Sequence, residues 1–219
     1  DAQTGQKPPT PTRYYHTSIR VSSHCTLLYI LFIVVVHQQT PATMVLFLLY
    51  LKAELENVES VSFKPDANIC ASVRNPLSDY EVRDKVVFNL QETLEQEEGA
   101  REPSHHFALK WEGSKKASIV TVLDAAAVKT ALKRKKGVEV PRSYGADDSG
   151  NWAPILAVEC RGIEPYAFFA LGDDFVVTST GGKSFAEDID LSEGDWAEYD
   201  EENDEPVSMS DVEFKWEAV

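Results

Sequence analysis

Residues 155–165 read Ile-Leu-Ala-Val-Glu-Cys-Arg-Gly-Ile-Glu-Pro, and no other part of the chain restricts the backbone as tightly. The apolar run ending at Cys160 has the character of a buried strand. Gly162 then marks a turn. Pro165 fixes its own φ at about −65° and pushes Glu164 out of the helical region, so a second extended segment begins there. Two extended segments joined at a single glycine belong to a sheet.

The same character recurs along the chain. Residues 45–50 are apolar on both faces and read as the fully covered start of a strand, whereas residues 51–56 (Leu-Lys-Ala-Glu-Leu-Glu) alternate strictly, with one face buried. Ile69, Ala71 and Val73 alternate again, and Asn75-Pro76-Leu77-Ser78 has turn chemistry. Residues 86–90 form another short strand, and 91–103 form an acidic loop with Gly99 and Pro103. Residues 106–111 and 118–123 make a hairpin around Glu112-Gly113-Ser114. One helix is predicted, over 124–136: Asp124 caps it, alanines favour it, basic residues crowd its end and Gly137 follows. Residues 145–150 read as a flexible turn, and Val212, Phe214 and Trp216 alternate as in a strand. The fold class is therefore all-β, sandwich- or barrel-like, with one short helix in a central connector.

At 219 residues and 43% hydrophobic, the chain can bury a sizeable core. Its net charge of −15 is unevenly spread, because residues 184–214 contain no Lys or Arg. That field repels nucleic-acid phosphates and anionic lipid heads, so this half is either a solvated acidic surface or a docking face for a basic protein partner. No nucleic-acid partner is expected, and no membrane for residues 44–219. The three cysteines, Cys25, Cys70 and Cys160, are far apart, with no Cys-x-x-Cys spacing. They suggest neither a disulfide framework nor a zinc knuckle, and fit a reducing compartment such as the cytoplasm.

Residues 1–43 differ from the rest, being rich in Pro, Thr, Gln and Ser ahead of an eleven-residue apolar run at 26–36. That run is shorter than the roughly 20 residues a spanning helix needs. Three readings stand: an over-extended gene model with Met44 as the true start, which is favoured, a targeting segment, or an anchor. The remainder divides into an N-terminal β half at 44–123, a helix and linker at 124–154, and a C-terminal β half at 155–219.

Several constellations have a functional and a plain reading. Cys160 beside Arg161 resembles an activated thiol, but neighbouring strand residues face opposite ways and no histidine lies in this half. His105 and His106 point to opposite faces of a strand and cannot share one ion there. Residues 129–136 are a basic helix end without interleaved aromatics; read as an import signal, they would extend the location to the nucleus. Gly181-Gly182-Lys183-Ser184 resembles a phosphate loop without its spacing, and Asp173, Asp174, Asp188 and Asp190 lack a calcium loop's pattern.

The string Glu159-Cys160-Arg161-Gly162-Ile163-Glu164-Pro165, followed by Phe185, Asp188-Ile189, Leu191 and Asp195-Trp196-x-x-Tyr199-Asp200, resembles the C-terminal half of the eukaryotic CXXC-motif zinc-binding protein family. The resemblance covers 44–219 and is strongest from Glu159 onward. It implies a small all-β fold and a structural zinc held by two Cys-x-x-Cys knuckles, a spacing that places two thiolates of one turn at adjacent corners of a tetrahedron. Counting from Leu55-Glu56-Asn57 places the first knuckle at Pro76 and Asp79, or one residue earlier at Asn75 and Ser78. Counting back from Ser118-Ile119 places the second at Lys110 and Gly113. None of these is a thiol, so no cofactor is expected and the zinc site is degenerate. The two turns are then expected to meet through packing of Leu77 and Trp111, with an Asp79–Lys110 ion pair. The resulting expectation is a non-catalytic protein-interaction module whose partner surface holds Asp195, Trp196, Tyr199 and Asp200. The alternatives are a metal site with altered ligands and a thiol-dependent enzyme using Cys160.

Overall fold

The strand that organises the molecule is β1 (Val45–Glu56), which pairs antiparallel with β8 (Ala153–Arg161) on one side and β13 (Glu205–Ala218) on the other. The computed structural model describes residues 44–219 except 79–80, 96–103 and 134. The expectations for residues 1–43, for Asp79 and for most of the acidic loop lie outside the described residues.

Because β1 sits mid-sheet, its apolar start is covered on both faces, as residues 46–49 require. Leu46 and Leu48 pack with Val128, Leu132 and Ala157. Phe47 and Leu49 face the other way, into a cluster with Ile69, Val73, Phe88, Trp111 and Ile163. Further along, Leu51 and Ala53 enter a third cluster with Val58, Val61, Tyr144 and Phe175. Each fully buried leucine here contributes about 2 kcal/mol through removal from water.

The remaining strands of this sheet are β5 (Phe107–Leu109), β6 (Ser118–Val122) and β12 (Trp196–Asp200), in the order β12-β13-β1-β8-β6-β5. The expected hairpin is present, with Phe107 opposite Val120 and Leu109 opposite Ser118. A four-stranded sheet contains β2 (Val58–Phe63), β7 (Tyr144–Gly145), β10 (Phe175–Ser179) and β11 (Ser184–Phe185), in the order β11-β10-β2-β7. A three-stranded sheet runs β4-β3-β9, from β3 (Asn68–Arg74), β4 (Val82–Asn89) and β9 (Glu164–Phe169). The fold is all-β, with α1 (Ala125–Leu132) as the α-helix among the described residues. No helix among them is long and apolar enough to cross a membrane.

Asp124 caps α1 as expected, its carboxylate accepting from Ala126 N at 2.9 Å and Ala127 N at 2.7 Å. The helix stops at Leu132 instead of Lys136. Leu132 is the last buried side chain of that stretch, and Lys133, Lys135 and Lys136 after it are exposed. Residues 145–150 are not merely a flexible turn. Gly145 belongs to β7, residues 146–148 form a 3-10 turn, and Asp148 is buried.

Candidate functional site

Gly162 seats the turn at 110–113, where one of the two knuckles is expected. Its φ of +67° favours glycine, and a Cβ there would lie 2.7 Å from Ser118 Oγ. Its carbonyl accepts from Trp111 Nε1 at 2.8 Å and from Ser118 Oγ at 2.7 Å. The buried Trp111 ring packs in the same cluster as Ile163. Glu164 accepts from Arg74 Nε at 3.0 Å, and Pro165 stands opposite Val73 at a register shift. The Gly-Ile-Glu-Pro string is thus a dock that seats the turn at 110–113.

The turn at 75–78 is held by its own asparagine. Leu77 N donates to Asn75 Oδ1 at 3.0 Å, and Ser78 N donates to Asn75 O at 3.1 Å. Leu77 does not pack on Trp111: its side chain is 92% exposed. The Asx turn aims it at solvent, so that half of the expected apolar contact is absent. What joins the two turns is Glu81. One carboxylate oxygen accepts from Asn75 Nδ2 at 2.5 Å, and the other accepts from Glu112 N at 3.1 Å. Beside this bridge the Arg83 guanidinium lies 5.5 Å from the Trp111 ring centroid.

The residues at the positions expected for the knuckle ligands do not supply the thiolates that a zinc knuckle uses. Pro76 and Gly113 carry no donor side chain, and Lys110 carries an ammonium. Among the described residues no group of three or more His, Cys, Asp or Glu is placed to hold a metal. Asp79, and with it the proposed pair to Lys110, lies outside the described residues.

The four residues of the expected partner surface divide into two exposed and two buried. Asp195 is exposed and Tyr199 is 47% exposed. Trp196 is only 8% exposed; it sits opposite Met209 and packs edge-on against Phe185 with centroids 5.5 Å apart. Asp200 is fully buried at the turn between β12 and β13. It accepts from Ser179 Oγ and Asn203 Nδ2, both at 2.8 Å, and from Glu202 N at 3.1 Å. The Asn203 side chain and these further donors hold its carboxyl below the ordinary carboxylate range. Trp196 and Asp200 are buried by these contacts, so they are framework residues.

Cys160 is 1% exposed on β8, and burial pushes its thiol far up, away from thiolate chemistry. His106 accepts from Val122 N at 3.1 Å through Nδ1, pinning the start of β5 to β6, and burial lowers its pKa. Asp174 is buried and accepts from Leu171 N at 2.7 Å, Asp173 pairs with Lys64, and Asp190 accepts from Ser192 N at 2.9 Å. Each of these carboxylates serves a local contact. Two residues that sequence reasoning missed are Glu81, which resembles any surface glutamate at the start of a strand, and Tyr144, whose wholly buried ring sits within a turn-rich segment.

The fold is an all-β scaffold in which Glu81 joins the turns at 75–78 and 110–113. The chain belongs to the family described as CXXC motif containing zinc binding protein, eukaryotic, whose profile matches residues 48–217. It is similar to UPF0587 protein CG4646 of Drosophila melanogaster, 41% identical over 73 residues, 33% of this chain and 44% of that protein. It is also similar to the CXXC motif containing zinc binding protein of Homo sapiens, 35% identical over 83 residues, 36% of this chain and 51% of that protein. The chain spans about half the length of the curated relatives it matches. Among solved structures, a hypothetical protein from Plasmodium falciparum superposes with a TM-score of 0.66 at 26% identity, covering 78% of this chain and 99% of that one. The crystal structure of C1orf123 gives 0.65 at 23% identity over 80% and 99%, a likeness of fold.

Proposed function

We propose that the chain is a non-catalytic protein-interaction module with a degenerate zinc site, and that the exposed side chains of the β12–β13 hairpin and its turn form its docking surface. The observation that carries this reading is the joint exposure of Asp195, Glu198, Tyr199, Glu201 and Glu202 within a stretch, 184–214, that holds no Lys or Arg. An anionic surface bearing one aromatic suits a basic protein segment, which it would steer by field and hold through Tyr199. The same field disfavours nucleic acid and anionic membranes. The burial of Cys160 supports the non-catalytic part, since a thiol nucleophile needs access and a lowered pKa. The buried free thiols of Cys70 and Cys160 suit a reducing compartment, which we take to be the cytoplasm.

The test is affinity capture from native cells with the wild type and with a variant carrying Glu198→Gln, Glu201→Gln and Glu202→Gln. Bound protein should be lost from the variant at unchanged circular dichroism, and released from the wild type by salt. Equal capture by both would overturn the assigned surface.

A further inference from the structure

The geometry points to Glu81 as the residue that clamps the turn at 75–78 to the turn at 110–113, in the role a bound metal would otherwise fill, and so makes this scaffold independent of zinc. Two donors from different turns converge on its carboxylate, Asn75 Nδ2 at 2.5 Å and Glu112 N at 3.1 Å. The Glu81 carbonyl also accepts from Asn75 N at 2.9 Å, so backbone and side chain together fix the first turn while the carboxylate reaches the second. Two residues on, in β4, the Arg83 guanidinium lies over the Trp111 ring. The segment therefore bears on the second turn through two residues, Glu81 and Arg83.

The chemistry suits the task. An ionised carboxylate carries two acceptor oxygens and no proton, so it can receive an N–H from each side at once, and hydrogen bonds to a charged acceptor are the stronger kind. Glutamine cannot copy this. Its amide would keep one acceptor and point a second donor at either Asn75 Nδ2 or Glu112 N. Meanwhile the four positions where knuckle ligands are expected hold a proline, a single carboxylate, an ammonium and a glycine, and no thiol. Glu81 is thus a positioning residue, and its role is independent of the docking surface proposed above.

The experiment measures amide hydrogen exchange and thermal unfolding of the purified full chain, wild type and the Glu81→Ala and Glu81→Gln variants, with and without a zinc chelator. Glu81→Ala should speed exchange of the Glu112 amide about tenfold or more, a loss of the size expected for one charge-assisted hydrogen bond. Glu81→Gln should speed it by less, and β1 amides should keep wild-type protection in both. The wild-type midpoint should not move with chelator or with added zinc. Should the alanine variant fail to fold, the glutamine variant and the chelator arm still decide. Wild-type exchange at Glu112 in either variant, or a chelator-induced fall in the wild-type midpoint, would overturn the assignment.

Discussion

Asn203 occupies the space that a side chain at position 181 would need: a Cβ on Gly181 would lie 2.0 Å from Asn203 Nδ2 and 2.4 Å from its Cγ. Asn203 is held in place, because the same Nδ2 donates to Asp200 Oδ2 at 2.8 Å, and that oxygen also accepts from Ser179 Oγ. The turn after β10 is thereby locked to the turn after β12. This contact accounts for a glycine that in sequence resembles part of a phosphate loop.

Gly181→Ala is therefore expected to cost about 1–3 kcal/mol, the usual range for forcing extra volume into a packed contact. In an Asn203→Ala background the same change should be close to neutral. Urea unfolding of the four proteins of this double-mutant cycle measures the coupling, which should reach about 1 kcal/mol. Additive effects would mean that the two turns do not bear on each other.

Trp196→Ala should cost about 3–5 kcal/mol, as loss of a large aromatic from a core does, because the ring is packed on Phe185. Tyr199→Ala, three residues on and exposed, should stay within about 0.5 kcal/mol of wild type. Chemical denaturation of the two variants checks the contrast. Equal effects would place both rings on the same side of the sheet.

Acid should weaken the segment around Tyr144 through Asp148. Its carboxyl is bonded by both terminal nitrogens of Arg142 and accepts from Gly145 N at 2.9 Å. The hydrogen bond from Arg142 is the main cause holding its pKa below the ordinary value. A carboxyl depressed in the folded state stabilises above its unfolded pKa of about 3.9, and that contribution is lost as pH falls through the lower folded value. The stability gap between wild type and Asp148→Asn should therefore be constant from neutral pH down to about 5 and shrink below about 4. Urea midpoints across that range measure it, and a gap that widens towards acid would contradict the sign.

How far the sequence could be read follows from how local each signal is. The two-faced apolar start of β1, the cap at Asp124 and the Gly162–Pro165 corner are set by neighbours along the chain, and all are found where expected; β3 is a strand as its alternation predicts, but both of its faces are buried, Cys70 and Ser72 included. Trp196 and Asp200 misled because acidic residues surround them in sequence. Which face of a five-residue strand turns inward depends on the pairing with β13, and that is not local. Hydrophobicity alone predicts packing for Leu77, whereas the Asx turn of Asn75 directs it outward. Glu81 joins turns some thirty residues apart in sequence. No periodicity marks such a bridge.

Tyr144 is the strongest case of a long-range role without a local signal. The β1–β13 register shifts between Lys52 and Glu54, which leaves Ala53 out of the ladder. The Tyr144 hydroxyl fills the gap: it accepts from Ala53 N at 3.1 Å and lies 2.9 Å from Ala53 O, 2.6 Å from Asp148 O and 3.0 Å from Asn151 O. Tyr144→Phe keeps the ring in its cluster but leaves the buried Ala53 N–H without that acceptor. The expected cost is about 1–3 kcal/mol, the penalty of one unsatisfied buried donor. Exchange of the Ala53 amide should accelerate while Leu48 and Leu49, which stay paired with β8 and β13, keep their protection. Unchanged Ala53 exchange in a folded Tyr144→Phe protein would show that the shift in register is supported by something other than this hydroxyl.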